Sequence, residues 1–214
     1  MKHRKCPDPV VLYVLLAAAC LGLAVPVAVL DARWLILPAA LLVLAALFAW
    51  DAIIEITGPE GVRRIPIQDF YIKAGQVDLR PGELQTAILI PKAAYEGYEG
   101  HYIKYAMRNA MDIATTGCSV NVKLSADKST MEDVRIAYGV AGPVPMRAVT
   151  AEARAKGKPT TKAEIKAFAQ AVLEDINPRD SWRAAKDFRQ HIAVALAERA
   201  LTESIRLAGG VIHE

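Results

Sequence analysis

The chain has 214 residues, of which 53% are hydrophobic, enough for a core and incompatible with a disordered or collagen-like protein. Its 26 basic and 23 acidic residues leave a net charge of +3, which excludes a nucleic-acid surface built on bulk electrostatics. Cys6, Cys20 and Cys118 form no close pair and His3, His101, His191 and His213 are scattered, so no disulfide scaffold, zinc site or histidine-based triad is indicated.

Residues 1–50 stand apart. They hold Lys2, Arg4, Lys5 and Arg33 against Asp8 and Asp31, and the remaining charges all follow. Residues 10–30 and 34–50 are two uncharged apolar runs parted by Asp31 and Arg33. Each approaches the roughly 20 residues that cross a bilayer. The segment therefore reads as a two-helix membrane hairpin, with Lys2, Arg4 and Lys5 keeping the N-terminus in the cytoplasm and two crossings returning the rest to it. A signal peptide with small residues near Ala28 and a pair of buried core helices are the alternatives.

Residues 52–57 are rich in β-branched side chains and are followed by Gly58, Pro59, Glu60 and Gly61, then by residues 62–67. This predicts a hairpin with a four-residue loop. A looser stretch with Gly75, Pro81 and Gly82 leads to a strand over 84–90, stopped by Pro91. The segment 95–100, rich in Tyr, Glu and Gly, marks a boundary.

Strands are then predicted over 102–107, 116–124 and 134–140. Period-two alternation puts Val120, Val122 and Leu124 on one face, so these strands are half-buried and need cover on one side. Helices downstream supply it. Thr161 and Glu164 fit a capping box, and Ile165, Phe168, Ala169, Val172 and Leu173 recur at helical spacing. Asn177 and Pro178 end that helix, and a longer one is expected from 183 to 207 with Phe188, Ile192, Ala195 and Leu196 as its stripe. Gly209 and Gly210 stop it. The fold class is α+β, a three-stranded antiparallel sheet with a helical layer behind an apolar helical N-terminus.

No phosphate-loop, dinucleotide or nucleophile-elbow motif occurs, and Gly139–Gly142 runs into Pro143 and Pro145 as a turn. One dense polar segment remains, His101–Ile113, in which Lys104 and Arg108 bring two cations near the acceptor Asp112. A planar guanidinium fork and a mobile ammonium can hold a phosphate or an electron-rich heterocycle. A solvated strand edge with a weak Arg/Asp pair is the plainer reading. Ser181–Arg189 is a second charged cluster, readable as a helix start with surface charge.

Residues 104–118, 135–147 and 178–189, in that order, resemble the FAD-binding subunit of bacterial xanthine dehydrogenases, which are molybdenum hydroxylases. Medium subunits of carbon monoxide dehydrogenases are more distant relatives, and the likeness spans roughly residues 45–210. The resemblance implies an electron-transfer subunit that takes electrons from iron–sulfur clusters on one partner subunit and passes them through FAD to NAD, while a molybdopterin subunit hydroxylates the purine. It implies that Lys104, Asp112 and Ile113 line the flavin ring, that Arg108 lies where nicotinamide approaches, and that Gln85 is near the ring, where the family usually has an aliphatic residue. A cation beside the ring favours the anionic reduced flavin. No catalytic residue, metal ligand or nucleic-acid contact is implied on this chain.

The resemblance divides the chain into the apolar residues 1–50, a C-terminal remnant of an FAD-binding domain at 51–99, and a flavoprotein C-terminal domain at 100–214. In the family, two glycine-rich loops ahead of the matched part cradle the FAD diphosphate. Here Gly22 is the only glycine before Gly58, and residues 1–44 resemble no part of the family. The expectation is a truncated subunit impaired in FAD binding, its residues 1–44 either native or the product of a frameshift or fused start. A cytoplasmic location is expected, with an inner-membrane anchor through residues 10–50 as the alternative. The competing functional reading is a membrane-tethered interaction module without redox activity.

Overall fold

The computed structural model describes residues 44–108 and 112–214. Residues 1–43, which carry most of the expected membrane hairpin and the proposed signal peptide, lie outside the described residues. Among the described residues, no helix is long and apolar enough to cross a membrane. Residues 44–49 are helical, and Ala45, Leu47, Phe48 and Ala49 are buried. The end of the second apolar run is thus part of a protein core, packed with Ala52, Ile54, Ile56, Ile67 and Phe70.

The first sheet has the order β2-β1-β5, built from β1 (Ile53–Gly58), β2 (Gly61–Pro66) and β5 (Leu84–Leu89), all antiparallel. Alternation in β1 turns Ile54 and Ile56 into the core. Gly58 pairs directly with Gly61, so the hairpin loop is the two residues Pro59 and Glu60 rather than the four expected. A short helix α1 (Ile67–Phe70) and the ribbon of β3 (Tyr71–Lys73) with β4 (Gln76–Val77) join β2 to β5. The helical turn α2 (Lys92–Tyr95) leads to the second sheet.

That sheet is five-stranded, where three strands were expected. Its order is β10-β8-β7-β6 with β9 also on β8, from β6 (Glu99–Tyr105), β7 (Thr116–Leu124), β8 (Thr130–Gly139), β9 (Met146–Arg147) and β10 (Lys158–Pro159). The two added strands are only two residues long, below the reach of any periodicity. β6 begins at Glu99, inside the segment expected to be a boundary, because Gly100 gives clearance there. A Cβ on Gly100 would stand 2.2 Å from the Asn121 side-chain oxygen across the pair.

The helical layer consists of α3 (Val149–Ala155), α4 (Lys162–Ala171), a 3₁₀ turn (Val172–Glu174) and α5 (Lys186–Leu207). Cys118, Val120, Val122, Val134, Ile136 and Tyr138 form one cluster with Ile165, Phe168, Leu196, Leu201 and Ile205. The Tyr138 hydroxyl donates to the Ala193 carbonyl at 2.8 Å, which ties the sheet to α5. Thr161 accepts the Glu164 amide at 3.3 Å as the capping box requires, whereas the Glu164 carboxylate reaches out to Arg154 at 2.9 Å. At the other end of the layer, the Gly209 amide donates to Arg206 and the Gly210 amide to Ile205, with Gly209 at φ 76. This is the paired arrangement in which a left-handed glycine closes a helix.

Two expectations about this layer are corrected. First, β7 is not half-buried: Thr116–Val122 is covered on both faces. Cys118, Val120 and Val122 meet the helices. Ser119 and Asn121 are turned the other way, where the Asn121 amide donates to the Ala49 carbonyl at 3.1 Å and Ala137, opposite Ser119, joins the cluster formed by the 44–49 helix and the first sheet. Small and polar residues on that face therefore mark a second packed interface rather than solvent. Second, α5 begins at Lys186 instead of 183, because Ser181 and Ala184 pair in a turn and the Asp180 carboxylate caps the Lys186 amide at 2.7 Å. Its buried face is Arg189, Ala193, Leu196, Ala197, Ala200, Leu201, Ser204 and Ile205, while Phe188 is 43% exposed. Alanines on that face let the helix lie close to the sheet.

Candidate functional site

Lys104 stands next to the end of β6, paired with Gly117 of β7, and the chain between these strands forms the loop that carries the other candidate residues. Its ammonium donates to the Asp112 carbonyl at 2.6 Å. The Asp112 carboxylate accepts the Arg108 amide at 3.0 Å, and the Arg108 guanidinium stands 3.9 Å from it. Burial pushes the Asp112 carboxyl up, but the amides of Arg108, Met107 and Ile113 and the Arg108 charge outweigh it and hold the group below its usual range. Asp112 is thus a charged clamp on its own loop. Facing outward are Arg108, with 71% of its side chain exposed, Met107 at 71% and Ile113 at 39%.

The structure therefore brings Lys104, near the end of β6, together with Arg108, Asp112 and Ile113 of the loop that follows it. Gln85 is elsewhere: it is exposed on β5 of the first sheet, opposite Ile56. An open hollow of about 240 Å³ beside Gly58, Pro59 and Arg80 also lies on that unit. Its Arg63 is already held by Glu83 at 2.7 Å and Asp78 at 2.8 Å, so it offers little to a ligand. Among the described residues no group of His, Cys, Asp and Glu could hold a metal ion.

Sequence reasoning missed the support beneath the loop. The Thr115 amide donates to the Tyr105 carbonyl at 2.8 Å, and Arg189, 5% exposed, donates to the Thr115 carbonyl and to Ser181 Oγ at 2.9 Å. Tyr105 meets Phe188 edge-on with ring centroids 6.0 Å apart. Arg189 belongs to the cluster read as surface charge. Its spacing of four from Ala193 and seven from Leu196 was the available signal that it shares their buried face. Thr115 Oγ1 is buried without a hydrogen-bond partner.

A planar isoalloxazine ring presents carbonyl and ring-nitrogen acceptors along one edge and apolar faces on either side. Lys104 and Arg108 carry several N–H donors each, and Met107 and Ile113 are exposed apolar surface, so these side chains fit that end of FAD.

Residues 43–93 match the family described as FAD binding domain in molybdopterin dehydrogenase, and residues 101–204 match the CO dehydrogenase flavoprotein C-terminal domain. Over these residues the chain belongs to the FAD-binding proteins of the molybdopterin dehydrogenase family. It is 38% identical to the xanthine dehydrogenase FAD-binding subunit of Escherichia coli O157:H7, over 77% of this chain and 56% of that protein. It is 28% identical to the carbon monoxide dehydrogenase medium chain of Hydrogenophaga pseudoflava, over 72% of this chain and 52% of that one. The solved structure of carbon monoxide dehydrogenase from the same organism superposes with a TM-score of 0.70 at 29% identity, covering 77% of this chain and 56% of the other. The chain spans about half the length of the curated relatives it matches.

Proposed function

We propose that this chain acts in the FAD-binding, electron-transfer subunit of a xanthine dehydrogenase-like molybdenum hydroxylase. Electrons arrive from iron–sulfur clusters on one partner subunit and leave through FAD to NAD, and a second partner carries the molybdopterin. The observation that carries the reading is the joint one: 38% identity to a xanthine dehydrogenase FAD-binding subunit, and a loop in which Lys104, Arg108, Asp112 and Ile113 come together. The cytoplasm is the matching location. Residues 51–99 and 100–214 are the two functional units in this proposal.

The chemistry that FAD supplies when bound is electron transfer, and the chain's residues do the rest. Lys104 would bring a positive charge to the ring edge, where a cation favours the negative charge of the reduced ring. Asp112 shapes the loop by gathering its amides, so its carboxylate positions the loop rather than the ring. Ile113 would cover a ring face and shed water from it. Arg108, the most exposed of the four, is placed to meet an anionic group of a nicotinamide nucleotide.

With a single glycine before Gly58, the glycine-rich cradle that the resemblance associates with the diphosphate is not matched here. Affinity should then come from the ring end. Titration of the full chain with riboflavin, FMN and FAD, followed by quenching of flavin fluorescence, is expected to give dissociation constants within about threefold of one another, less than 1 kcal/mol apart. Absence of binding by all three would remove the flavin reading. FAD bound a hundredfold tighter than riboflavin would show that the diphosphate is gripped after all.

A further inference from the structure

The face of the five-stranded sheet that points away from the helices carries an ionic cluster that includes none of the flavin-loop residues. At its centre is Asp51, which follows the 44–49 helix with φ 45, a backbone conformation uncommon outside glycine and tolerated best by Asn and Asp. One carboxylate oxygen faces Arg135 of β8 at 3.2 Å, and the other meets Arg147 of β9 and accepts from Gln68 at 2.9 Å.

Both arginines are themselves held from behind. Glu152 of α3 grips Arg147 with two bonds, at 2.7 and 2.6 Å, and also accepts the Ile136 amide at 3.0 Å. Arg135 donates to Asp133 at 3.3 Å and to the Tyr98 hydroxyl at 3.0 Å, and its guanidinium lies 4.5 Å above the Tyr98 ring centre. The arginine side chains are 14% and 17% exposed, so their charges are largely withdrawn from water. Such charges are tolerated only when paired, and a strained residue persists only where its surroundings impose it. Here both conditions meet at a contact between the unit matching the FAD-binding domain and the sheet that bears Lys104.

We propose that Asp51 is a positioning residue: held by Arg135 and Arg147, it fixes the 43–93 unit, which matches an FAD-binding domain, against the five-stranded sheet, so that a flavin at the Lys104 loop is bounded by both. The proposal rests on the flavin reading. Asp51→Asn removes the charge while keeping a side chain suited to positive φ, and Arg147→Met removes one partner.

In the full chain, each variant is expected to keep its far-UV circular dichroism, to split the single calorimetric transition of the wild type into two, and to weaken riboflavin binding about tenfold below the first transition. Combining the two substitutions should cost less than the sum of the separate losses, because both remove the Asp51–Arg147 pair, while Arg147→Met also takes two bonds from Glu152. If Asp51→Asn does not fold, Arg135→Lys, which keeps the charge and loses the fork, is read in the same way. A lowered but single transition with unchanged riboflavin affinity is the signature of a merely structural role and overturns the proposal. A wild-type chain that binds no flavin would sink the flavin reading alone, since the split transition reports the Asp51 contact without it.

Discussion

Replacing Arg189 with methionine is expected to destabilise the protein by about 3 kcal/mol and to loosen the candidate loop. The guanidinium is 5% exposed and is shared among the carbonyls of Thr115 and Ala184 and the hydroxyl of Ser181. Burial, and after it the charges of Arg179 and Arg183, pull its pKa down from the usual arginine value, so the site holds this cation at a cost. Methionine fills similar volume but leaves the Thr115 carbonyl and Ser181 Oγ without their donor, and an unsatisfied buried group costs about 1–3 kcal/mol. Urea denaturation should show a lower midpoint at unchanged slope. Hydrogen exchange should rise first in the peptide containing Tyr105 and Thr115, whose mutual hydrogen bond lies directly above Arg189. Exchange that rises uniformly over the chain would mean that Arg189 stabilises the fold but not the loop.

The second large effect is expected at Phe168, fully buried between α4 and the sheet. Phe168→Ala should cost about 3–5 kcal/mol, from the lost transfer energy and the cavity left in a packed core. Phe188→Ala should cost about 1 kcal/mol or less, because that ring is 43% exposed and touches chiefly Tyr105. The contrast in thermal midpoint between the two variants tests the assignment of Phe188 to the exposed side of α5. Equal losses would return Phe188 to the buried stripe.

That stripe shows where sequence reading reaches its limit. The spacing of Ile165, Phe168 and Ala169 was enough to orient α4, because Ile165 and Phe168 are large and the exposed Lys162, Lys166 and Gln170 are polar. α5 buries alanines, a serine and an arginine, so hydrophobicity does not separate its faces and larger residues such as Phe188 mislead. β7 was legible in its bounds, and Val120 and Val122 in their direction. The burial of Ser119 and Asn121 was not, since small and polar residues at alternate positions look the same under solvent and under a second packed unit. β9 and β10 pair with β8 alone in the sheet and are too short to leave a pattern of their own.

Within the candidate site, the charged residues could be read as a group because they fall within ten positions of one another along the chain, and the resemblance gave them roles. Their division of labour needed coordinates. Asp112 turns its carboxylate on its own loop, and the residues that brace the loop, Arg189 and Thr115, come from distant or unremarkable positions. Asp51 was equally hidden: at the end of an apolar run it reads as a boundary, and only the approach of β8 and β9 makes it an ion-pair partner.

The most direct test of the flavin reading is riboflavin titration of the full chain with Lys104→Met against Lys166→Met, an exposed lysine on α4. Loss of one charge-assisted hydrogen bond, about 1.5 kcal/mol, predicts roughly tenfold weaker binding for the first. The second should match the wild type. Equal affinity for all three proteins would contradict the placement of the flavin ring at the Lys104 loop.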